Sequence, residues 1–235
     1  MIGCMCIHGF TGGPYEVAPV ANFIRTRTNW EVRVPTLPGH GKSLSLKNRT
    51  YQQWIDSAEE TIKELKRDCD VVYIVGFSMG GMIAAYLAAK YKVDKLVLLS
   101  ASRKYICPIQ MAKDLYSFLR DGCTGCLKQN EYYQRWKKKR GLIPLKAFVE
   151  FWKCMQYTKP YLRSLECPVL IAQGKRDGMV PVKSAYFLEK EIPSPTQLML
   201  FQKSKHLLCL GEEKDEIFKS IYTFLKPNKD QLPNS

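Results

Sequence analysis

Histidine is scarce in this chain, with three among 235 residues: His8, His40 and His206. So few reduce any search for a catalytic base to three candidates. Acidic residues are also few, 22 against 36 Lys and Arg, for a net charge of +14. An excess of that size raises nucleic acid as a partner. Its placement argues against one, because residues 101–165 alone hold 14 Lys/Arg against 4 Asp/Glu and no nucleic-acid-binding motif accompanies them. No apolar run reaches the ~18 residues that a membrane-spanning helix needs. The apolar start, Met1–Ile7, lacks a basic stretch and a cleavage site and enters His8-Gly9 directly, so it reads as a strand and not an export signal. Nine cysteines are an odd number in a chain of this size. They read as reduced thiols of a cytoplasmic protein. Cys4, Cys6, Cys69, Cys107, Cys154, Cys167 and Cys209 have the apolar surroundings of buried thiols. Cys123-Thr124-Gly125-Cys126 is a C-x-x-C without a second pair or a nearby histidine, which leaves it short of the ligands zinc takes.

Apolar residues make up 46% of the chain, enough for a core. Strand and helix patterns alternate, as in a parallel sheet with crossover helices. Strands are expected at Met1–Ile7, Glu31–Val34, Val71–Val75, Lys95–Leu99, Val169–Ala172 and Gln197–Phe201. Helices are expected at Tyr15–Arg27, Thr50–Lys66, Met82–Lys90, Val182–Lys190 and Lys214–Leu225, with apolar side chains at helical spacing. From about 103 to 163 the rhythm breaks into a basic, aromatic and helical stretch without a strong strand. The expected organisation is therefore an α/β core, 1–102 and 164–235, interrupted by a helical cap at 103–163.

The strongest chemical signal is Gly76-Phe77-Ser78-Met79-Gly80, a G-x-S-x-G between a buried strand and an Ala-rich helix. A serine presented on so tight a strand-to-helix turn needs very small residues two before and two after it, and both are glycine. The helix N-terminus then faces developing negative charge. This pattern is similar to the nucleophile elbow of the α/β-hydrolase fold, in which acid and then histidine follow the nucleophile along the chain. Only His206 lies downstream of Ser78. Asp177 follows the late strand Val169–Ala172 by a short turn and can orient the imidazole. Asp94 and Glu166 precede their strands and so fall at the opposite edge of a parallel sheet. The amides of Met79, directly after the serine, and Phe10, after His8-Gly9, are the natural oxyanion donors.

His8-Gly9-Phe10-Thr11-Gly12, Pro38-Gly39-His40-Gly41, the Ser78 elbow, Asp177-Gly178-Met179-Val180-Pro181 and Ser204-Lys205-His206 occur in order over nearly all of residues 1–225. Together they resemble the bacterial carboxylesterase and monoacylglycerol lipase group of α/β-hydrolases. The resemblance implies a cofactor-free and metal-free ester hydrolase of short-to-medium acyl chains, with nucleophile Ser78, acid Asp177, base His206 and oxyanion amides Phe10 and Met79. One departure stands out: the chain begins at the strand before the oxyanion loop, so a mainly parallel sheet of about six strands is expected, without the usual antiparallel N-terminal strands. A monoglyceride lipase or an acyl thioesterase would use the same residues. A non-catalytic receptor on the same fold is the alternative from another class. The run Lys137-Lys138-Lys139-Arg140 reads as a solvated helix end that can also attract anionic substrates or membrane surfaces. Of the cap aromatics Tyr132, Tyr133, Trp136, Phe148, Phe151, Trp152 and Tyr157, some are expected to wall an acyl pocket.

Overall fold

A computed structural model describes residues 1–103 and 143–227. Most of the expected cap, with Cys107, Cys123, Cys126, Tyr132, Tyr133, Trp136 and Lys137–Arg140, lies outside the described residues.

Six strands form one sheet: β1 (Ile2–Ile7), β2 (Glu31–Arg33), β3 (Val71–Phe77), β4 (Lys95–Leu99), β5 (Val169–Gly174) and β6 (Thr196–Phe201). Their order is β2-β1-β3-β4-β5-β6 and every neighbouring pair is parallel. The six-stranded parallel sheet expected from the sequence is thus the one observed. The described helices are α1 (Ala18–Arg25), α2 (Tyr51–Asp68), α3 (Met79–Tyr91), α4 (Leu145–Thr158), α5 (Lys183–Glu191) and α6 (Lys214–Leu225).

A parallel sheet needs cover on both faces, which demands strands that are apolar at every position. In β3, Val72 and Ile74 join one core with α2, α3, α4 and α5, while Tyr73, Val75 and Phe77 join the other with α1 and α6. The period of two thus divides one continuous apolar run between two cores. Helix α2 starts at a capping box, with Thr50 Oγ1 accepting from Gln53 N and Gln53 Oε1 accepting from Thr50 N. Its buried stripe is Trp54, Ile55, Ala58, Ile62 and Leu65. Lys95 enters the sheet buried, and its ammonium donates to the carbonyls of Phe224 (2.9 Å) and Lys226 (2.6 Å), tying the end of α6 to β4. Burial lowers the pKa of that ammonium.

The largest differences from the sequence expectation are at two helix starts. The helix expected over Tyr15–Arg27 is a 3₁₀ turn at Pro14–Glu16 followed by α1 from Ala18. Helix α3 begins at Met79 and not Met82, because Gly80 and Gly81 are helical despite their low propensity. Every residue of α3 from Met79 to Ala88 is buried, so packing overrides propensity there. The chain leaves β1 toward β2 on one side, while β3 lies on the other. In such sheets ligands bind outside the C-terminal strand ends where the order reverses, here the exits of β1 and β3.

Candidate active site

His8 to Phe10 leave β1 and Ser78 leaves β3 at that reversal point. Ser78 has φ 54° and ψ −117°, a left-handed backbone that a non-glycine residue adopts only under strain. The serine is nearly buried, and α3 begins at the very next residue. Its Oγ lies 3.1 Å from His206 Nε2. His206 Nδ1 lies 2.8 Å from Asp177 Oδ2. The three residues singled out by order and strand position therefore form one hydrogen-bonded chain.

The surroundings of Asp177 fix which oxygen does what. Oδ1 accepts the amides of Met179 (2.8 Å) and Val180 (2.9 Å). Oδ2 accepts from Gln173 Nε2 (3.0 Å) as well as facing the imidazole. Burial by itself raises the carboxyl pKa, but His206 and the two amides outweigh it and hold Asp177 below the usual carboxylate range. Phe77 packs its ring 4.9 Å from the His206 ring, closing one side of the imidazole. Asp94 and Glu166 serve elsewhere: Asp94 Oδ2 accepts the Val72 amide at 2.7 Å, and Glu166 lies exposed at 3.8 Å from Lys92.

The loop after β1 is held by groups the sequence reading passed over. The Gly9 amide donates to Glu16 Oε2 at 2.9 Å. Thr11 turns the loop in a left-handed conformation, φ 58°. The Phe10 amide has no hydrogen-bond partner among the described residues. Met79, as the first helical residue, has no preceding turn to accept from its amide. Phe10 stacks on Phe151 (4.9 Å between centroids) and meets Phe148 edge-on at 5.5 Å, which brings α4 against the loop after β1. Of the other described cap aromatics, Trp152 is exposed, and Tyr157 packs among Tyr51, Tyr86 and Tyr161.

His8 and His40 pack against each other beside the Phe10 and Trp54 rings, apart from the Ser78–His206–Asp177 chain. The Leu37 amide donates to His8 Nε2 (3.1 Å), so Nδ1 carries the proton and donates it to Gly9 O (2.9 Å). Burial pushes the His8 pKa down to about 4. An unfolded histidine titrates near ~6.5, so between about pH 6.5 and 4 the unfolded chain binds a proton that the folded chain refuses. Stability should therefore fall as pH drops through that window, by an amount of order 3 kcal/mol. The depressed pKa of Asp177 acts at lower pH, where protonation of the native carboxylate begins. Urea unfolding at pH 7.0 and 4.5 checks this. His8→Asn should flatten the loss, and an unchanged slope would assign it to another group.

Two glycines bring these loops into backbone contact. A Cβ on Gly80 would lie 2.4 Å from His8 O, and one on Gly174 would lie 2.3 Å from Ser204 O. The first contact joins the Ser78 turn to the end of β1, and the second joins the end of β5 to the loop that carries His206. Among the described residues no cluster of three or more His, Cys, Asp or Glu is arranged to hold a metal ion. Nor is any described helix long and apolar enough to cross a membrane. Cys4, Cys6, Cys69, Cys154, Cys167 and Cys209 are buried free thiols.

With this geometry in view, the relatives are informative. The model of the α/β-hydrolase fold family matches residues 5–120. A thermostable monoacylglycerol lipase of Bacillus sp. (strain H-257) is 26% identical over 230 residues, covering 95% of this chain and 90% of the lipase. A carboxylesterase of Bacillus subtilis (strain 168) is 20% identical, covering 94% and 91%. A solved structure from work on two metagenome-derived lipolytic enzymes, LipS and LipT, superposes with a TM-score of 0.78 at 22% identity, covering 95% and 92%. The chain has the α/β-hydrolase fold. In sequence it is similar to bacterial proteins named monoacylglycerol lipase and carboxylesterase.

Proposed function

We propose that this chain hydrolyses carboxylic esters of short-to-medium acyl chains through a covalent acyl-enzyme on Ser78. The observation that carries the reading is the unbroken chain from Asp177 through His206 to Ser78 at the start of a buried helix. Ser78 Oγ attacks the ester carbonyl while His206 Nε2 takes its proton and Asp177 holds Nδ1–H. The Met79 and Phe10 amides receive the oxyanion, and each such donor is worth about 3 kcal/mol in the transition state. His206 returns the proton to the departing alcohol. Water then attacks the acyl-enzyme by the same route and releases the acid. The names borne by the relatives, a monoacylglycerol lipase and a carboxylesterase, support an ester as substrate.

A monoglyceride is the second reading. What favours it is the pair Phe148 and Phe151 lying over Phe10, an aromatic wall beside the oxyanion loop. A fluorophosphonate probe that labels Ser78, followed by rates on esters from acetate to laurate, monoglycerides and acyl thioesters, tests the proposal and selects among substrates. Failure of the probe to label Ser78 removes the nucleophile assignment.

The wall also makes a chain-length prediction. Each methylene buried on binding contributes about 0.8 kcal/mol, so kcat/KM should climb about fourfold per carbon until the pocket is filled. Phe148→Ala should move that optimum by two or more carbons and leave acetate ester turnover near the parent value. A superimposable profile in the variant would take selectivity away from α4.

A further inference from the structure

We propose that Ser102 is a second catalytic hydroxyl of this site, one that donates a hydrogen bond to Ser78 Oγ and stabilises the charge returning to that oxygen as the acyl-enzyme breaks down. The proposal rests on the reading of Ser78 as the nucleophile.

The Oγ atoms of Ser102 and Ser78 lie 3.0 Å apart. A hydroxyl has one proton to give. Ser78 gives its proton to His206 Nε2, because Nδ1–H already faces Asp177. In the Ser78–Ser102 contact the donor is therefore Ser102 and the acceptor is Ser78 Oγ. Among the described residues Ser78 Oγ is the only hydrogen-bond partner of the Ser102 hydroxyl.

Ser102 is 1% exposed, so water does not compete for the contact. The turn that carries it is fixed from several sides. Ser100 N donates to Ala172 O, Ser102 N to Ser78 O and Ser184 Oγ to Ala101 O. These bonds do not involve the Ser102 hydroxyl, so the backbone keeps its place when the hydroxyl is removed. The donor is thus preorganised in a water-poor site, where an aimed hydrogen bond is worth most.

Only interactions that strengthen toward the transition state accelerate a step. In the acyl-enzyme, Ser78 Oγ is the ether-type oxygen of an ester, a poor acceptor. Water adds to the acyl carbon and passes a proton to His206 Nε2. The tetrahedral intermediate then collapses, the C–Oγ bond breaks and its electron pair returns to Oγ. His206 delivers the proton to that oxygen as the carboxylic acid leaves. Throughout, Ser102 keeps its own proton and donates to an oxygen whose charge is growing. In acylation Oγ starts as a good acceptor and ends as a poor one, so the same bond contributes less.

The test is Ser102→Ala, with Ser102→Cys as an isosteric weaker donor, on the full chain with a p-nitrophenyl ester. Stopped-flow separates the acylation burst from the steady state, and fluorophosphonate titration counts folded, reactive sites. A lost hydrogen bond to a charging oxygen should lower deacylation roughly tenfold or more. The burst should become prominent, its rate should change less than about threefold, and Ser102→Cys should fall between. Steady-state kcat within twofold of the parent in Ser102→Ala would overturn the proposal. So would an equal loss in burst rate, labelling rate and turnover, which would make Ser102 a support for the Ser78 side chain. Absence of probe labelling at Ser78 in the parent chain would instead remove the nucleophile reading beneath it.

Discussion

Ser78→Ala should lower ester turnover by about 10⁶-fold while leaving the fold intact, the scale seen when the serine of such a triad is deleted. Alanine keeps the Cβ, so the backbone at φ 54° is under the same steric strain as before. The oxygen that faces both His206 and Ser102 disappears. His206 then has a proton acceptor and no nucleophile to relieve of a proton. Circular dichroism and urea unfolding should match the parent, and fluorophosphonate labelling should vanish. Retention of more than a few per cent of parental kcat, with contaminating esterase excluded, would require another nucleophile.

Asp177→Asn should cost up to about 10⁴ in kcat, and the hydrogen bonds around the carboxylate say why. Met179 N and Val180 N both donate to Oδ1, so an asparagine must keep its oxygen there. Its NH₂ then occupies the Oδ2 position, facing His206 Nδ1 and the Gln173 amide nitrogen. A donor against Nδ1 forces the imidazole proton onto Nε2. That tautomer cannot accept the proton of Ser78. The amide nitrogen also meets Gln173 Nε2 donor to donor. Asp94→Asn and Glu166→Gln, whose carboxylates hold the Val72 amide and face Lys92, should remain within a few-fold of the parent. A larger loss in Asp94→Asn than in Asp177→Asn would place the acid at the other edge of the sheet.

What the sequence could reveal was whatever obeys a local period or a chain order. The apolar runs of β3, β4 and β5 are legible because a strand covered on both faces has to be apolar throughout. Ser78 is legible because its turn calls for glycine two residues before and two after it, and His206 because the other two histidines precede Ser78. Ser102, Glu16 and Gln173 were not legible. Each acts on a partner brought near by the fold, 24 residues along the chain in the case of Ser102 and Ser78. No spacing rule reaches across a crossover. One usable signal existed for Ser102: it follows the strand next to the elbow strand, on the same C-terminal edge. The start of α3 was misplaced because two glycines argue against helix locally, and only burial on every side reverses that.

Gly80 and Gly174 set a limit on how this molecule can change over generations. Each marks a seam where two loops touch backbone to backbone, with no room for one added carbon. Every single substitution away from glycine adds that carbon, so neither position has a neutral neighbour in sequence space. The surface beyond them is free to drift, since side chains there meet mostly solvent. A lineage of such chains can therefore wander in charge and in surface composition. The four loops that converge on Ser78 and His206 travel together through that wandering, as a single inherited unit.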